Sequence, residues 1–411
     1  MELDLAYGDT ARKLRIPDRN LLGILKPNDV KPFQDIGAEF AKASQAAAEF
    51  LKGGHRVLVL VNDYTRPTPS NLALVRLEPL LNDRDVKYIV CLGTHRSPTE
   101  DECHQIFGPD FYGRHKEQII NHDCRDKSKL FFRGKTSFGT EVWFNRELVW
   151  ADRIIAINSL EPHYFAGYTG GRKGFLPGVA GLETVRQNHN NDNVTSPDSA
   201  ALRLENNLIH KDMTEAAKMV IRPVFSIQVV IDRHHKPVSL DYGDLFESFA
   251  TATSDAFKVY SVPIKEKADI ALSVLRPPYD INFYQCQRAQ EFGRLGLKKN
   301  GVQITISACR KGIGNDGFIQ TFKNCTEPSE VLKFPKKERK LGWHKSARLA
   351  KLLKDIELYT VMGISDETAK QVFMHPFHSI QNAIDAAIQR VGPDAKIYII
   401  PDAGAVIPVI E

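Results

Sequence analysis

Four side chains in the first half of this 411-residue chain could do chemistry together. Asp63 and Arg66 lie in Asn62-Asp-Tyr-Thr-Arg-Pro67, His95 in Gly93-Thr-His-Arg96, and His163 after Glu161-Pro162. Each site follows an apolar, strand-like run. A guanidinium can hold a carboxylate through two parallel N–H bonds. The Thr65 hydroxyl and the start of a following helix could take a phosphate. Imidazole titrates near neutrality, so His95 and His163 could serve as an acid/base pair. Bases on opposite faces of one carbon are what racemisation needs, but the sequence does not show that these two face each other. Taken singly, each is more often a capping, ion-paired or hydrogen-bonded structural residue. Their recurrence at three strand ends of one lobe points to a shared site.

A glycine-rich loop adds a second signal. Gly167, Gly170, Gly171, Gly174 and Gly178 surround Arg172 and Lys173. The loop resembles a phosphate cradle but lacks the G-x-x-x-x-G-K-[ST] of a P-loop. No G-x-G-x-x-G follows a first strand, which disfavours a nicotinamide dehydrogenase. The plain alternative is a flexible surface loop. His189 follows Lys173 on an expected helix, with no second His at i+4, so no protein-only metal motif is visible. His375 and His378 read as structural.

The elements that must position these groups alternate in type. Continuous Val/Leu/Ile runs at 55–61, 86–92 and 153–158 predict strands buried on both faces. Helical patterns follow at 70–81 and 183–190. Ser97-Pro98-Thr99-Glu100 reads as a helix start, with Ser97 as N-cap and Glu100 closing a capping box. Further strands are predicted at 268–275, 302–307, 356–362 and 396–400, with a helix at 379–391. The basic run Lys333 to Lys345 opens a helix and reads as a solvated face. The fold class is α/β: two lobes, each a mostly parallel sheet flanked by helices. The boundary falls near 265, giving lobes of 1–265 and 266–411. Ligands of such sheets bind beyond the carboxyl ends of the strands, so the active site is expected in the inter-lobe cleft.

Composition narrows the class. Lys and Arg total 55 against 50 Asp and Glu, a dispersed net charge of +5. No concentrated basic stripe suits duplex nucleic acid, whereas an anionic small molecule fits. No run approaches the roughly 18 apolar residues of a membrane span. The acidic start lacks the basic and apolar regions of a signal peptide. Six scattered cysteines form no C-x-x-C pair. The reading is a soluble cytoplasmic protein with reduced, mostly buried thiols.

Residues 62–67, 93–96 and 161–178, in that order and spacing, resemble the nickel-pincer-dependent lactate racemase family, and the resemblance runs through most of the chain. It implies a 2-hydroxy-acid racemase or epimerase using a nickel-pincer nucleotide that partner enzymes make and mature. By that resemblance Lys173 is the covalent tether and His189 the nickel ligand. His95 and His163 become the alternating acid/base pair, and Arg66 the substrate-carboxylate contact. Asp63, Thr65, Gly170, Gly171 and Arg172 fall among the cofactor or orienting contacts. In the C-terminal lobe Tyr284 and Gln285 fit the family's Tyr-Gln-x-x-Lys, but Arg288 stands where lysine is usual. A planar fork replaces a point charge, which implies a substrate larger or more polar than lactate. The competing readings are a catalytically idle relative that binds a nucleotide or phosphometabolite, and an NAD-dependent oxidoreductase.

Overall fold

The structure is a computed structural model that describes residues 1–277, 279–314, 316–335 and 342–411. The chain divides into two compact units. The larger comprises Val30–Asn193 and Asp198–Val259; the smaller comprises Met1–Asp29, Val194–Pro197 and Tyr260–Glu411. The sequence suggested a single cut near 265, so Met1–Asp29 lies in a different unit from the one expected. The strand Leu21–Ile24 pairs in parallel with Ile397–Ile400. A partner so distant in sequence leaves no local pattern.

In the larger unit the sheet runs, edge to edge, Pro237–Asp244, Val224–Ile231, Arg153–Leu160, Arg56–Asn62, Asp85–Cys91, Ile119–Asn121. Only Pro237–Asp244 runs antiparallel to its neighbour. Val57 to Val61 and Ile154 to Ile157 are at most 1% exposed, as their unbroken apolar runs require of strands covered on both faces. From Arg56–Asn62 the chain moves outward to Asp85–Cys91, then returns to add Arg153–Leu160 on the other side. That reversal places a topological switch point between Arg56–Asn62 and Arg153–Leu160, where such sheets bind ligands.

The helix Ser70–Leu81 buries Ala73, Leu74, Leu77 and Leu81, the apolar face its spacing predicts. The next helix, Glu100–Phe107, begins two residues later than expected. Thr99, not Ser97, is the N-cap, and Glu102 closes the capping box. Glu102 also forks onto the Arg96 guanidinium at 2.6 and 2.7 Å, which holds the box at this register.

The smaller unit has a wholly parallel sheet in the order His375–Pro376, Glu357–Met362, Leu297–Ser307, Ala268–Val274, Ile397–Ile400, Leu21–Ile24. The helix Phe283–Gly293 follows Ala268–Val274, and the Asn282 side chain caps it by accepting from Gln285 N. Part of the basic run 333–345 lies outside the described residues, at 336–341. Its last member is not solvated: Lys345 is buried, and its Nζ donates to Tyr284 O at 2.7 Å. Among the described residues no helix is long and apolar enough to cross a membrane.

Candidate active site

At the carboxyl end of Arg56–Asn62 sits a knot around one carboxylate. Asp63 is 4% exposed. Its Oδ1 accepts from Thr65 N at 3.1 Å and Thr65 Oγ1 at 2.6 Å, and its Oδ2 lies 2.5 Å from His95 Nδ1. Burial alone would raise this carboxyl. The His95 hydrogen bond and charge, the Arg66 guanidinium and the Thr65 hydroxyl outweigh it and hold Asp63 below its ordinary range. An ionised Asp63 fixes the His95 ring with Nδ1–H toward the carboxylate, which leaves Nε2 for chemistry. The Thr65 hydroxyl, expected among the cofactor contacts, donates to Asp63.

Hydrogen bonds tie this end to its neighbours. Asn62 Oδ1 accepts from Ser159 N at 2.9 Å, and Thr68 Oγ1 sits 2.8 Å from both Asn62 Oδ1 and Ser159 Oγ. Gly93 N donates to Gly178 O at 3.0 Å. The His95 turn is thus fastened to the end of the glycine-rich loop.

That loop is not a loose surface segment. Every residue from Phe165 to Arg172 is buried. Pro162–His163 pairs antiparallel with Gly167–Tyr168, and a short 3-10 turn covers Gly171–Gly174. Gly170 and Gly171 have φ of 72° and 50°. A Cβ on Gly170 would meet Gln228 Oε1 at 2.7 Å, and one on Gly171 the Phe249 ring at 2.6 Å. Gly171 N donates to Gln228 Oε1 at 3.1 Å. Arg172 donates to Ala166 O at 2.7 Å, Thr169 O at 3.2 Å and Gly170 O at 3.3 Å. Its guanidinium lies 4.3 Å over the Phe249 ring, and burial brings its pKa down to about 9. Expected to contact a cofactor, Arg172 spends these hydrogen bonds on the loop's own carbonyls and acts as an internal strut.

One ring gathers three of the expected site residues. Phe165 meets His163 edge-on at 4.4 Å between centroids and His189 edge-on at 5.0 Å. Lys173 Nζ lies 5.8 Å over the same ring. His163 Nδ1 accepts from Ala166 N at 3.3 Å, and its ring stacks on Tyr164. Burial first, then the charges of Arg66 and Arg172, push the Lys173 amine well below the usual lysine range. Lowering an amine's pKa favours its nucleophilic form.

His189 sits at the end of Leu182–Asn188. The preceding Asn188 donates through Nδ2 to Asp212 Oδ2 at 2.7 Å, and the buried Asp212 also accepts from Thr136 and Thr140, each at 2.7 Å. Phe165 and Asp212 were not singled out in the sequence. Phe165 lies inside the third motif, beside His163. Asp212 gives no local signal, because its partners stand 24, 72 and 76 residues away. Among the described residues no group of three or more His, Cys, Asp or Glu could hold a metal ion, so the chain alone offers His189 no such set.

Tyr284, Gln285 and Arg288 belong to the smaller unit, on the helix Phe283–Gly293. Burial pushes the Tyr284 phenol up to about 12, and its ring meets Phe318 edge-on at 5.7 Å. The Arg288 guanidinium lies over Tyr279 at 4.5 Å and Phe292 at 5.1 Å, and its Nε donates to Gly404 O at 3.0 Å. Stacking on two rings is a guanidinium geometry that an ammonium does not reproduce.

Residues 7–201 match the lactate racemase N-terminal domain, and residues 264–408 match the lactate racemase C-terminal domain. The chain belongs to the lactate racemase family. It is 30% identical to the lactate racemase of Thermoanaerobacterium thermosaccharolyticum, with 98% of each chain covered. Against the lactate racemase of Lactiplantibacillus plantarum the identity is 29%, covering 98% of this chain and 99% of the other. The solved lactate racemase apoprotein of T. thermosaccharolyticum superposes with a TM-score of 0.90 at 28% identity, over 100% of both chains. A solved protein of Thermotoga maritima shares the fold at a TM-score of 0.71 and 18% identity, over 91% of this chain and 98% of that one. Membership of the lactate racemase family supports an isomerase that acts on a hydroxy acid.

Proposed function

We propose that this lactate racemase family member is a cytoplasmic enzyme that inverts C2 of a 2-hydroxy acid, with His95 and His163 as alternating acid and base. The observation that carries the reading is the Phe165 cluster, which brings His163, His189 and Lys173 onto one ring. The residues present fit a nickel-pincer nucleotide. Lys173 offers an amine with a lowered pKa for covalent attachment, and His189 offers an imidazole suited to nickel with sulfur donors. When bound, that group supplies the acceptor and then the donor of the C2 hydride, so that the substrate passes through a 2-keto acid.

The chain does the rest. Arg66 holds the substrate carboxylate through a bidentate pair. For one enantiomer His95 takes the hydroxyl proton at Nε2, and the buried Asp63 carboxylate stabilises the imidazolium that forms. For the other enantiomer His163 takes it once its Nδ1 has given up the Ala166 N–H, and the roles reverse on return. Arg288 in place of lysine points to a 2-hydroxy acid with additional polar groups, a hydroxy-diacid or an aldonic acid.

The test is the intact mass and nickel content of the chain co-produced with pincer-synthesising enzymes, followed by peptide mapping and a panel of chiral 2-hydroxy acids. A nucleotide-sized adduct on Lys173, matching nickel, and racemisation or C2-epimerisation of one acid class are expected. An unmodified, nickel-free chain beside a control relative that does load would overturn the proposal. Equal rates on lactate and longer acids would overturn the substrate class alone.

A further inference from the structure

Two buried thiols in the smaller unit take no part in the chemistry above. Cys286 lies on the first turn of Phe283–Gly293, and Cys309 lies just after the strand Leu297–Ser307. Their sulfurs are 3.5 Å apart, with Cys286 0% and Cys309 2% exposed. Cysteines often fill cores as small apolar side chains. Three features set this pair apart from filling.

The Cys309 backbone has φ of +45°, a left-handed conformation that is rare for a side chain of this kind. That turn brings its sulfur against Cys286. Polar groups also surround the Cys309 sulfur: the Cys286 thiol at 3.5 Å, the Ser307 hydroxyl at 3.6 Å and the Gly363 backbone N–H. Finally, the two environments are unequal. The hydrogen bond from Cys286, aided by Ser307 and Gly363, lowers the Cys309 thiol despite burial, whereas burial raises the Cys286 thiol well above its ordinary range. Two thiols 3.5 Å apart, one with its pKa lowered by the other, can pass through a sulfenic acid to a disulfide.

We propose that Cys309 and Cys286 form a peroxide-reactive dithiol, with Cys309 as the attacking sulfur and Cys286 as the resolving one. The Cys309 thiolate attacks one oxygen of hydrogen peroxide. The O–O bond breaks, hydroxide leaves and takes up a proton, and Cys309 becomes a sulfenic acid. The Cys286 sulfur then attacks the Cys309 sulfur, the S–O bond breaks, and the Cys286 proton leaves with the hydroxide as a second water. Two thiols and one peroxide give one disulfide and two waters, with two electrons passing from sulfur to oxygen. The sulfurs close by roughly 1.5 Å to reach the ~2.0 Å of a disulfide. The turn at residues 309–313 is already fastened to the helix start by Lys311 N to Ile281 O at 2.6 Å, Phe283 N to Gly312 O at 2.9 Å and Tyr284 N to Ile313 O at 3.0 Å. The two elements therefore start in register for the bond, which would tether the helix that carries Tyr284, Gln285 and Arg288. Burial selects against bulky oxidants: with Cys286 0% and Cys309 2% exposed, a glutathione-sized disulfide is excluded.

The experiment exposes the folded full-length chain to stoichiometric hydrogen peroxide, then alkylates it under denaturing conditions and maps the peptides. The expected product is a cross-link of residues 286 and 309, lighter by two hydrogens and reversed by dithiothreitol, formed before the other four cysteines react. Oxidised glutathione should not form it. Cys286→Ala should leave a sulfenic acid on Cys309 that a dione probe traps, and Cys309→Ala should give neither species. The proposal is overturned if both thiols of the wild-type chain remain alkylatable, or if any other cysteine is consumed as fast. The wild-type measurement stands even if a variant fails to fold.

Discussion

The two histidine environments of the larger unit are built from different forces. At the His95 end, order comes from charge and hydrogen bonds: Asp63 binds Thr65 and His95, and Asn62 and Thr68 bind Ser159. At the His163 end, order comes from packing: Phe165 stands between His163, His189 and Lys173, and Arg172 braces the loop beneath. A carboxylate sets a ring's tautomer and stabilises its charge, so its influence depends on pH. An aromatic ring sets position and excludes water, so its influence depends on shape. The bases of the proposed reaction would therefore be held by separable devices, and each can be broken without the other.

The largest expected effect is at the packed end. Lys173→Ala should abolish both the covalent adduct and all turnover, read by intact mass and by racemisation rate. Retained activity would remove Lys173 from the tether role. Next comes His163→Ala. Loss of a general base costs on the order of 10²–10⁴-fold in rate, and nickel content should be unchanged. If nickel leaves with His163, the ligand and the base have been assigned the wrong way round.

The contrast between the two ends also explains what could be seen in the sequence. Strand runs such as Val57 to Val61 are legible because a strand buried on both faces leaves no polar position. Asp63, His95, His163 and Lys173 are legible because each follows such a run or sits among glycines whose backbone is constrained. The sequence does not reveal where a side chain's hydrogen bonds go. Arg172 beside Lys173 looks like a ligand contact, yet it donates to Ala166, Thr169 and Gly170 of its own loop. Lys345 ends a basic run, yet it is buried against Tyr284. Leu21–Ile24 and Asp212 act through partners far along the chain, and periodicity carries no information about such pairs.

At the charged end the sharper probe is Asp63→Asn, which preserves size and removes charge. An amide in place of the carboxylate that orients a general-base histidine favours the wrong tautomer, and a loss in kcat of up to ~10⁴-fold is expected. The same variant has a pH signature. The folded-state carboxyl of Asp63 is held below its ordinary 3.8, so the unfolded chain binds its proton first as pH falls. The stabilisation is complete above that ordinary value and is lost as pH drops through the lower folded-state value. Chemical denaturation should show the wild type's advantage over Asp63→Asn in full at neutral pH and shrinking below about pH 4. A constant difference would mean that the carboxylate charge contributes nothing to the knot.

The smallest effect tests whether packing alone organises the other end. Phe165→Leu keeps an apolar side chain but removes the edge-on contacts to His163 and His189. Each such ring contact is worth about 0.5–1.5 kcal/mol beyond buried area, so a stability loss of roughly 1–3 kcal/mol is expected. Because the ring positions His163, His189 and Lys173 rather than reacting itself, the variant should still form the Lys173 adduct, but more slowly. It should also hold nickel less completely, and its pH–rate profile should keep the wild-type shape. Asp63→Asn should do the reverse, with the profile changed and the adduct intact. If Phe165→Leu instead alters the pH profile and leaves loading untouched, the two ends are not separate devices, and the aromatic ring tunes His163 much as the carboxylate tunes His95.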